Sequence, residues 1–155
     1  MIIRKARLTD VEEIHELVNY YADKNIMLPR ARTTLYENIR DFVVVEIDGE
    51  VAGIGALHVL WLDLAELRTL AVKKSLFGQG IGRKLVEFIL NEAKELEIQK
   101  VFTLTYQPSF FQKLGFNIID KEAMPRKVWT DCINCPKFPN CNEICLEINI
   151  NKSKK

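Results

Sequence analysis

Residues 77–85, FGQGIGRKL, carry three glycines at alternate positions between a β-like segment and an amphipathic helical pattern. Glycine costs roughly 0.5–1 kcal/mol relative to alanine inside a helix or strand, so this spacing indicates a need for bare backbone. A glycine-rich turn at a helix start offers unpaired amides and the positive end of the helix dipole to an anion. The segment therefore predicts a phosphate-binding loop, with a tight turn as the alternative. Its residues are Gly78, Gln79, Gly80, Ile81 and Gly82, with Arg83 beside the phosphates.

Two well-known phosphate-binding loops do not fit this segment. A Walker loop requires Lys-Ser or Lys-Thr after its last glycine, and neither pair follows here. The dinucleotide fingerprint Gly-x-Gly-x-x-Gly requires a third glycine at the position of Ile81 or Arg83. That fingerprint also follows a first parallel strand, whereas three strand patterns with short connections precede this loop. Such a run is typical of an antiparallel meander.

Apolar periodicity predicts the remaining elements of a mixed α/β domain. Asp48-Gly49 is a strong hairpin signal between two β-rich segments. The strands are expected at 2–8, 41–48, 50–61, 64–72, 99–106 and 116–120, and the helices at 10–24, 34–40, 82–97 and 108–114.

Local signals refine two of these predictions. The Thr-x-x-Glu spacing of Thr9 with Glu12, and of Thr34 with Glu37, predicts a capping box at the start of the first two helices. Alternation along 64–72 places Glu66, Arg68 and Leu70 on one face of a strand, and Leu67, Thr69 and Ala71 on the other.

Length and charge limit the classes of function. A chain of 155 residues with a net charge of +1 predicts one domain with no nucleic-acid partner and no anionic membrane surface to bind. No apolar run approaches the roughly 18 residues of a membrane span. The first ten residues lack the apolar core of a signal peptide, which predicts a cytoplasmic protein.

The order of elements around the glycine loop resembles the GNAT acetyltransferase superfamily over residues 1–122. Members carry Arg/Gln-x-x-Gly-x-Gly/Ala after the fourth strand, and this chain has Phe77 at the leading position. The resemblance implies an α/β domain with a central, mostly antiparallel sheet flanked by helices, and acetyl-CoA as the cosubstrate. In this superfamily the strand before the loop has a bulge and splays from the next strand. Main-chain groups of Leu70, Ala71 and Val72 would then pair with the pantetheine arm.

Four further segments resemble the short, stand-alone N-acetylglutamate synthases of arginine biosynthesis. These segments are MLPRAR (27–32), AELRTLAV (65–72), FFQKLGF (110–116) and MPRKVWTDCINCPKFPNC (124–141), and the combined resemblance covers 1–146. It implies small-molecule substrates, acetyl-CoA and L-glutamate, and direct transfer of the acetyl group.

The resemblance assigns the general base to Glu66. Many superfamily members place the acid that protonates the thiolate at a tyrosine, where this chain has Phe111. Thr105 and Tyr106 are the remaining candidates for that role, and Phe110 and Phe111 either pack or line the pantetheine channel.

Glutamate carries two carboxylates, and the planar guanidinium of arginine binds a carboxylate with two hydrogen bonds. The candidate ligands are Arg30, Arg68, Arg126 and Lys127. His15 and His58 are expected to have ordinary structural roles, because no carboxylate or cysteine cluster lies near them in the sequence.

All four cysteines fall in a C-terminal extension, residues 123–150, which precedes a basic tail at 151–155. Their spacing leaves three alternatives open: a structural zinc site, reduced thiols that pack the tail, and a disulfide or other cluster. We expect the extension to form a lid over the acceptor side or a homodimer contact. The cysteines are Cys132, Cys135, Cys141 and Cys145.

The sequence therefore predicts an acetyl-CoA-dependent N-acetyltransferase acting on L-glutamate. Two alternatives remain at this stage. One is a GNAT enzyme for another small amine or a protein N-terminus. The other is a non-catalytic module that binds CoA or is tethered by zinc, which the departures at Phe77 and Phe111 keep open.

Overall fold

A computed structural model describes residues 1–120 and 143–150. A seven-stranded mixed sheet has the order β1-β2-β3-β4-β5-β7-β6 and is mostly antiparallel, with β4 and β5 parallel. Its strands are β1 (Ile2–Lys5), β2 (Phe42–Ile47), β3 (Glu50–Trp61), β4 (Leu64–Val72), β5 (Lys100–Thr105), β6 (Asn117–Ile119) and β7 (Ile144–Asn149). The helices are α1 (Val11–Ala22), α2 (Arg32–Glu37), α3 (Ile81–Glu95) and α4 (Pro108–Gln112), and single 3-10 turns occur at Leu8–Asp10, Ile39–Asp41 and Lys74–Leu76.

The described residues form two compact units. The first comprises Met1–His58 and Leu67–Glu92, and the second comprises Val59–Glu66 and the residues from Ala93 onward. No helix in the described part of the chain is both long and apolar enough to cross a bilayer.

In the first unit, β3 is buried on both faces from Val51 to Leu57. The apolar stripe of α1, including Ile14 and Val18, packs with β2 and β3 in one cluster. Gly53 and Gly55 allow α3 to lie close to β3, because a Cβ at Gly55 would come within 2.8 Å of Ile89 Cδ1. The sheet of this unit is thus covered by helices on both faces, as the GNAT resemblance implies.

The predicted hairpin between β2 and β3 is confirmed. Asp48 and Gly49 have φ angles of 54° and 79°, as the two-residue type I′ turn requires. Both predicted capping boxes are wrong. Helix α1 begins after Asp10 and helix α2 begins at Arg32, and neither N-cap residue makes a side-chain capping hydrogen bond.

The Asp10 carboxylate has stronger partners than a helix cap provides. Arg4 donates two hydrogen bonds to it, at 2.8 and 3.1 Å, and the Arg7 amide donates a third at 2.7 Å. Asp10 is 5% exposed, and the same arginine also binds Glu46. The hydrogen bonds from Arg4 are the main reason that the pKa of Asp10 lies below its ordinary value. This cluster joins β1, β2 and the start of α1.

In the second unit, β7 lies between β5 and β6 and is antiparallel to both. The sequence pattern did not indicate this strand, which belongs to the extension expected to form a lid or a dimer contact. Ile144–Asn149 form no lid, because these residues are a strand within the sheet, and the dimer contact stays a prediction. Cys145 on β7 is 1% exposed and packs with Leu64 and Phe102. The remainder of the extension up to residue 142 and the tail at 151–155 lie outside the described residues.

The Asp10 cluster predicts a pH-dependent contribution to stability. We expect Asp10→Asn to lower the free energy of unfolding by about 1–3 kcal/mol at neutral pH, because it leaves buried donors poorly matched. Since the folded-state pKa is depressed, the carboxylate stabilises the protein above its usual pKa, near 3.9, and that contribution is lost as the pH falls through the folded-state value. Urea unfolding measured from about pH 7 to about pH 3 should show the two proteins converging.

Asp23→Asn is the matched control, because Asp23 is exposed at the end of α1. It should change the free energy of unfolding by no more than about 0.5 kcal/mol at any pH. An Asp10→Asn effect that is the same at every pH would contradict the assignment.

Candidate active site

The glycine loop has the backbone that its composition predicts. Gly78 and Gly80 have φ angles of 84° and 78°, in the left-handed region that favours glycine. A Cβ at either residue would meet nothing within 4 Å, so the backbone is open on that side. Helix α3 begins directly after Gly80, at Ile81, so the last two residues of the loop form its first turn. The amides of that first turn have no intrahelical acceptor. The arrangement fits an anion such as a diphosphate.

The residues beside the loop are exposed. Arg83 lies in the first turn of α3, and its guanidinium is 3.8 Å from the Glu87 carboxylate. Phe77 is 59% exposed in the turn that precedes Gly78. The leading position therefore presents an aromatic surface to solvent, where relatives in the superfamily have a polar side chain.

Strand β4 is irregular at Thr69, which has a φ angle of 59°. A positive φ is rare for a β-branched residue and marks local strain. This left-handed residue interrupts the regular strand in the region where the bulge is predicted, and the consecutive residues Arg68 and Thr69 both line one cleft. The ladder between β4 and β5 covers three described pairs, from Leu64–Lys100 to Glu66–Phe102.

The main chain after Thr69 is held in place from the first unit. The Lys73 amide donates to the Ala52 carbonyl at 2.9 Å. The hydroxyl of Tyr21 on α1 donates to the carbonyl oxygen of Val72. Burial raises the pKa of Tyr21, so the hydroxyl keeps its proton at neutral pH. One of the main-chain groups expected to meet the pantetheine arm therefore already has a side-chain partner.

A small cleft lies in the first unit between the α1–α2 loop, α2, β2, β3 and β4. It brings together Arg30 and Arg68, two of the predicted ligands for the acceptor. Thr34 of α2 adds a hydroxyl, and Asn38, directly after that helix, adds an amide whose Nδ2 also donates to the Thr34 carbonyl at 2.9 Å. The full lining is Arg30, Thr34, Leu35, Asn38, Asp41, Phe42, Ala56, Arg68 and Thr69. A cleft with two guanidinium groups suits a small anionic ligand.

Asp41 and His58 form a pair that the sequence analysis missed. The Nδ1 atom of His58 lies 2.8 Å from Asp41 Oδ2. The expectation that His58 has no carboxylate nearby is therefore wrong. In the β2–β3 ladder Phe42 pairs with Ala56, so Asp41, directly before β2, lies near His58, two residues further along β3. Counting outward from the Asp48-Gly49 turn places Asp41 opposite Ala56 instead, because it misses the register shift between Val45 and Glu46.

The candidates for proton transfer lie in the second unit. Glu66 is partly buried on β4 and pairs with Phe102 of β5. Thr105 ends β5, and its hydroxyl oxygen accepts a hydrogen bond from the Gln107 amide at 2.9 Å. Tyr106 follows and is 36% exposed. The roles of Glu66 as general base and of Thr105 or Tyr106 as general acid stay predictions.

The two phenylalanines of α4 differ in their surroundings. Phe111 is 4% exposed and packs edge-to-face between Phe110 and Phe116, with ring centroids 5.0 and 5.2 Å apart. Phe110 is partly buried. Packing therefore explains Phe111, the residue that stands where many superfamily members have tyrosine.

Five of the predicted site residues lie outside the part of the chain that the structure describes. Of the four cysteines only Cys145 is described, and the described residues contain no cluster of potential metal ligands. The zinc site stays a prediction. Outside the described residues lie Arg126, Lys127, Cys132, Cys135 and Cys141.

The family is decided by comparison with known proteins. Residues 38–118, more than half of the chain, match the acetyltransferase (GNAT) domain. The chain belongs to the GNAT acetyltransferase family. An uncharacterized N-acetyltransferase of Chlorobaculum tepidum is 41% identical over 144 residues, 93% of each chain. An amino-acid acetyltransferase of Mycobacterium tuberculosis is 42% identical over 133 residues, 84% of this GNAT chain and 76% of that protein.

Solved structures of relatives contain the cosubstrate. Rv2747 from M. tuberculosis, in complex with CoA and the ligand NLQ, superposes with a TM-score of 0.86 at 35% identity and covers 97% of this chain and 100% of that one. N-acetylglutamate synthase from Neisseria gonorrhoeae, with CoA and N-acetyl-glutamate, has a TM-score of 0.89 at 26% identity. This chain spans only 35% of that longer enzyme.

These findings establish the chemistry in outline. The protein is an acyltransferase of the GNAT type that transfers acetyl from acetyl-CoA to an amine. The open backbone at Gly78 and Gly80, ahead of the first turn of α3, fits the diphosphate of CoA.

The loop generates a prediction with an internal control. Gly80 and Gly49 have nearly identical φ angles of 78° and 79°, and a Cβ at either would meet nothing. We expect Gly80→Ala and Gly49→Ala to cost a similar free energy of unfolding, about 1 kcal/mol, because the backbone strain is the same. Only Gly80→Ala should weaken CoA binding, by about tenfold or more, since its methyl group enters the space for the diphosphate.

Isothermal titration with CoA, together with urea unfolding, measures both effects. Equal CoA affinity in the two variants would show that the loop does not hold the diphosphate.

Proposed function

We propose that the enzyme acetylates the α-amine of L-glutamate, which is the first step of arginine biosynthesis. One observation carries the proposal: Arg30 and Arg68 line the same cleft. Glutamate has two carboxylates, and each arginine binds one of them with a charge-assisted pair of hydrogen bonds. The relatives support this substrate, because one is named amino-acid acetyltransferase and another was crystallised with CoA and N-acetyl-glutamate.

The cleft adds features that suit an amino acid. The buried residues Leu35, Phe42 and Ala56 form an apolar base beneath the cleft. We propose that the polar groups of Thr34 and Asn38 bind carboxylate oxygens of the substrate. Arg126 and Lys127 are further proposed ligands from the resemblance to the short synthases. Two arginines in the lining suit an acceptor with two carboxylates better than they suit a neutral amine.

The proposed reaction is direct transfer. The amide groups of the loop from Gly78 to Gly82, with Arg83, hold the diphosphate of acetyl-CoA, and the main chain of Leu70–Val72 aligns the pantetheine arm. The neutral amine attacks the thioester carbonyl carbon, a carbon–nitrogen bond forms, and the carbon–sulfur bond breaks. A main-chain amide of β4 that donates to the oxyanion would lower the barrier by about 2.7–4 kcal/mol.

Two protons must move in this reaction. Glu66 accepts the proton that the ammonium group loses, through a water molecule. The thiolate leaves with its electron pair and takes a proton from Tyr106 or Thr105, or from solvent. Thr105 keeps its hydroxyl proton available, because in its contact with Gln107 the oxygen is the acceptor.

The acceptor proposal is tested by following thiol release from acetyl-CoA with each of the twenty amino acids. We expect L-glutamate to be the preferred acceptor. Arg30→Ala should raise the KM for glutamate by about 10- to 100-fold, since a charged hydrogen bond contributes about 1.5–3 kcal/mol. The KM for acetyl-CoA should change little.

Arg32→Ala is the matched control, because Arg32 lies two residues further on and pairs with Glu12 at the surface. It should leave both constants unchanged. The proposal would be contradicted if the enzyme prefers another amine and if Arg30→Ala leaves the KM for that amine unchanged.

The role of Glu66 generates a separate prediction. Glu66→Gln keeps the size of the side chain and removes its ability to accept a proton. We expect kcat to fall by about 10²- to 10⁴-fold with little change in either KM. Glu16→Gln, on the exposed face of α1, removes a carboxylate far from the strand and should retain full activity. Unchanged kcat in Glu66→Gln would assign the base elsewhere.

A further inference from the structure

Asp41 is an acidic residue in a cleft that the proposed function fills with an anion. Its carboxylate lies in the lining with Arg30 and Arg68. The negative charge of a carboxylate in the lining repels a dicarboxylate ligand and attracts a cationic group. The purpose of Asp41 therefore needs an explanation beyond the binding of carboxylates.

His58 fixes the orientation of Asp41. An ionised carboxylate only accepts hydrogen bonds, so the His58 Nδ1 carries the proton and donates to Asp41 Oδ2 at 2.8 Å. The Asp41 side chain is 27% exposed and the His58 side chain is 31% exposed. The second oxygen, Oδ1, accepts no hydrogen bond from any residue that the structure describes. One oxygen is thus held by β3, and the other is available to a ligand in the cleft.

The charges along the cleft mirror those of one class of ligand. The charged residues of the lining are two arginines and one aspartate. An amino acid with an acidic side chain presents two carboxylates and one ammonium group. A plain dicarboxylate matches only the two guanidinium groups and is repelled by Asp41.

We propose that Asp41, oriented by His58, binds the ammonium group of the acceptor and so selects an amino acid over a dicarboxylate. The inference rests on the proposed function, since it names a specificity residue for the same acceptor. Asp41 acts when the charged amine binds. Once the amine has lost its proton to the general base, the attraction to Asp41 weakens and the nitrogen can attack.

The test compares L-glutamate with glutarate, which is the same dicarboxylate without the amine. Isothermal titration in the presence of saturating CoA measures the dissociation constant of each ligand. Wild-type protein should bind glutamate more tightly than glutarate. Asp41→Asn should weaken glutamate binding by about tenfold or more, as expected for loss of a charged hydrogen bond. It should leave glutarate binding equal or tighter, so the preference disappears.

Two further variants make the comparison specific. Glu37→Gln removes a carboxylate from the exposed end of α2, outside the lining of the cleft, and should change neither dissociation constant. His58→Gln removes the group that orients Asp41 and should reduce the preference for glutamate by a smaller factor. Circular dichroism melting verifies that each variant is folded. If Asp41→Asn does not fold, the preference of His58→Gln for glutamate over glutarate tests the inference instead.

The outcomes separate this inference from the proposed function. If wild-type protein binds glutamate and Asp41→Asn weakens glutamate and glutarate equally, Asp41 is structural and the inference is overturned. An unchanged preference in a folded Asp41→Asn, or in His58→Gln when it decides, overturns it as well. If wild-type protein binds neither ligand, the proposed acceptor is wrong and the inference fails with it.

Discussion

The backbone of β4 is the constraint on which the candidate site depends. The strand pairs with β5 as far as Glu66, turns left-handed at Thr69, and is bound to Ala52 of β3 through the Lys73 amide. The proposed base, one acceptor ligand and the main chain proposed for pantetheine therefore follow one another within a few residues. A regular strand alternates strictly between its two faces, and the left-handed backbone at Thr69 interrupts that alternation where Arg68 and Thr69 both line the cleft.

Local patterns predicted much of this arrangement. The limits of β3 and β4 agree with the sequence exactly, because the Asp48-Gly49 turn and the flanking apolar runs specify them without help from distant residues. The glycine loop was predictable for the same reason, since left-handed glycines before a helix have a recognisable spacing. The capping box at Thr9 failed because Asp10, not Thr9, is the residue that precedes α1, and its carboxylate binds the distant Arg4 instead of the helix amides.

Long-range pairing explains what the sequence did not reveal. Strand β7 lies between β5 and β6, so its alternating residues meet partners from two separate segments. The Asp41–His58 pair depends on the β2–β3 register, which an irregularity between Val45 and Glu46 shifts by one residue. The hydrophobic pattern of a single segment does not indicate which strand it will pair with, nor whether the register between two strands is shifted.

The position of β7 has a consequence for biosynthesis. Residues 144–149 supply the strand that pairs with both β5 and β6, so the sheet in the second unit cannot be completed until residue 149 has left the ribosome. Until then the nascent protein exposes the edge of β5, with Phe102 and Val101 as apolar neighbours, to other chains. This unit therefore folds only after β7 has been synthesised. A truncation that ends the chain before Ile144 would leave the edge of β5 exposed and make the protein prone to aggregate.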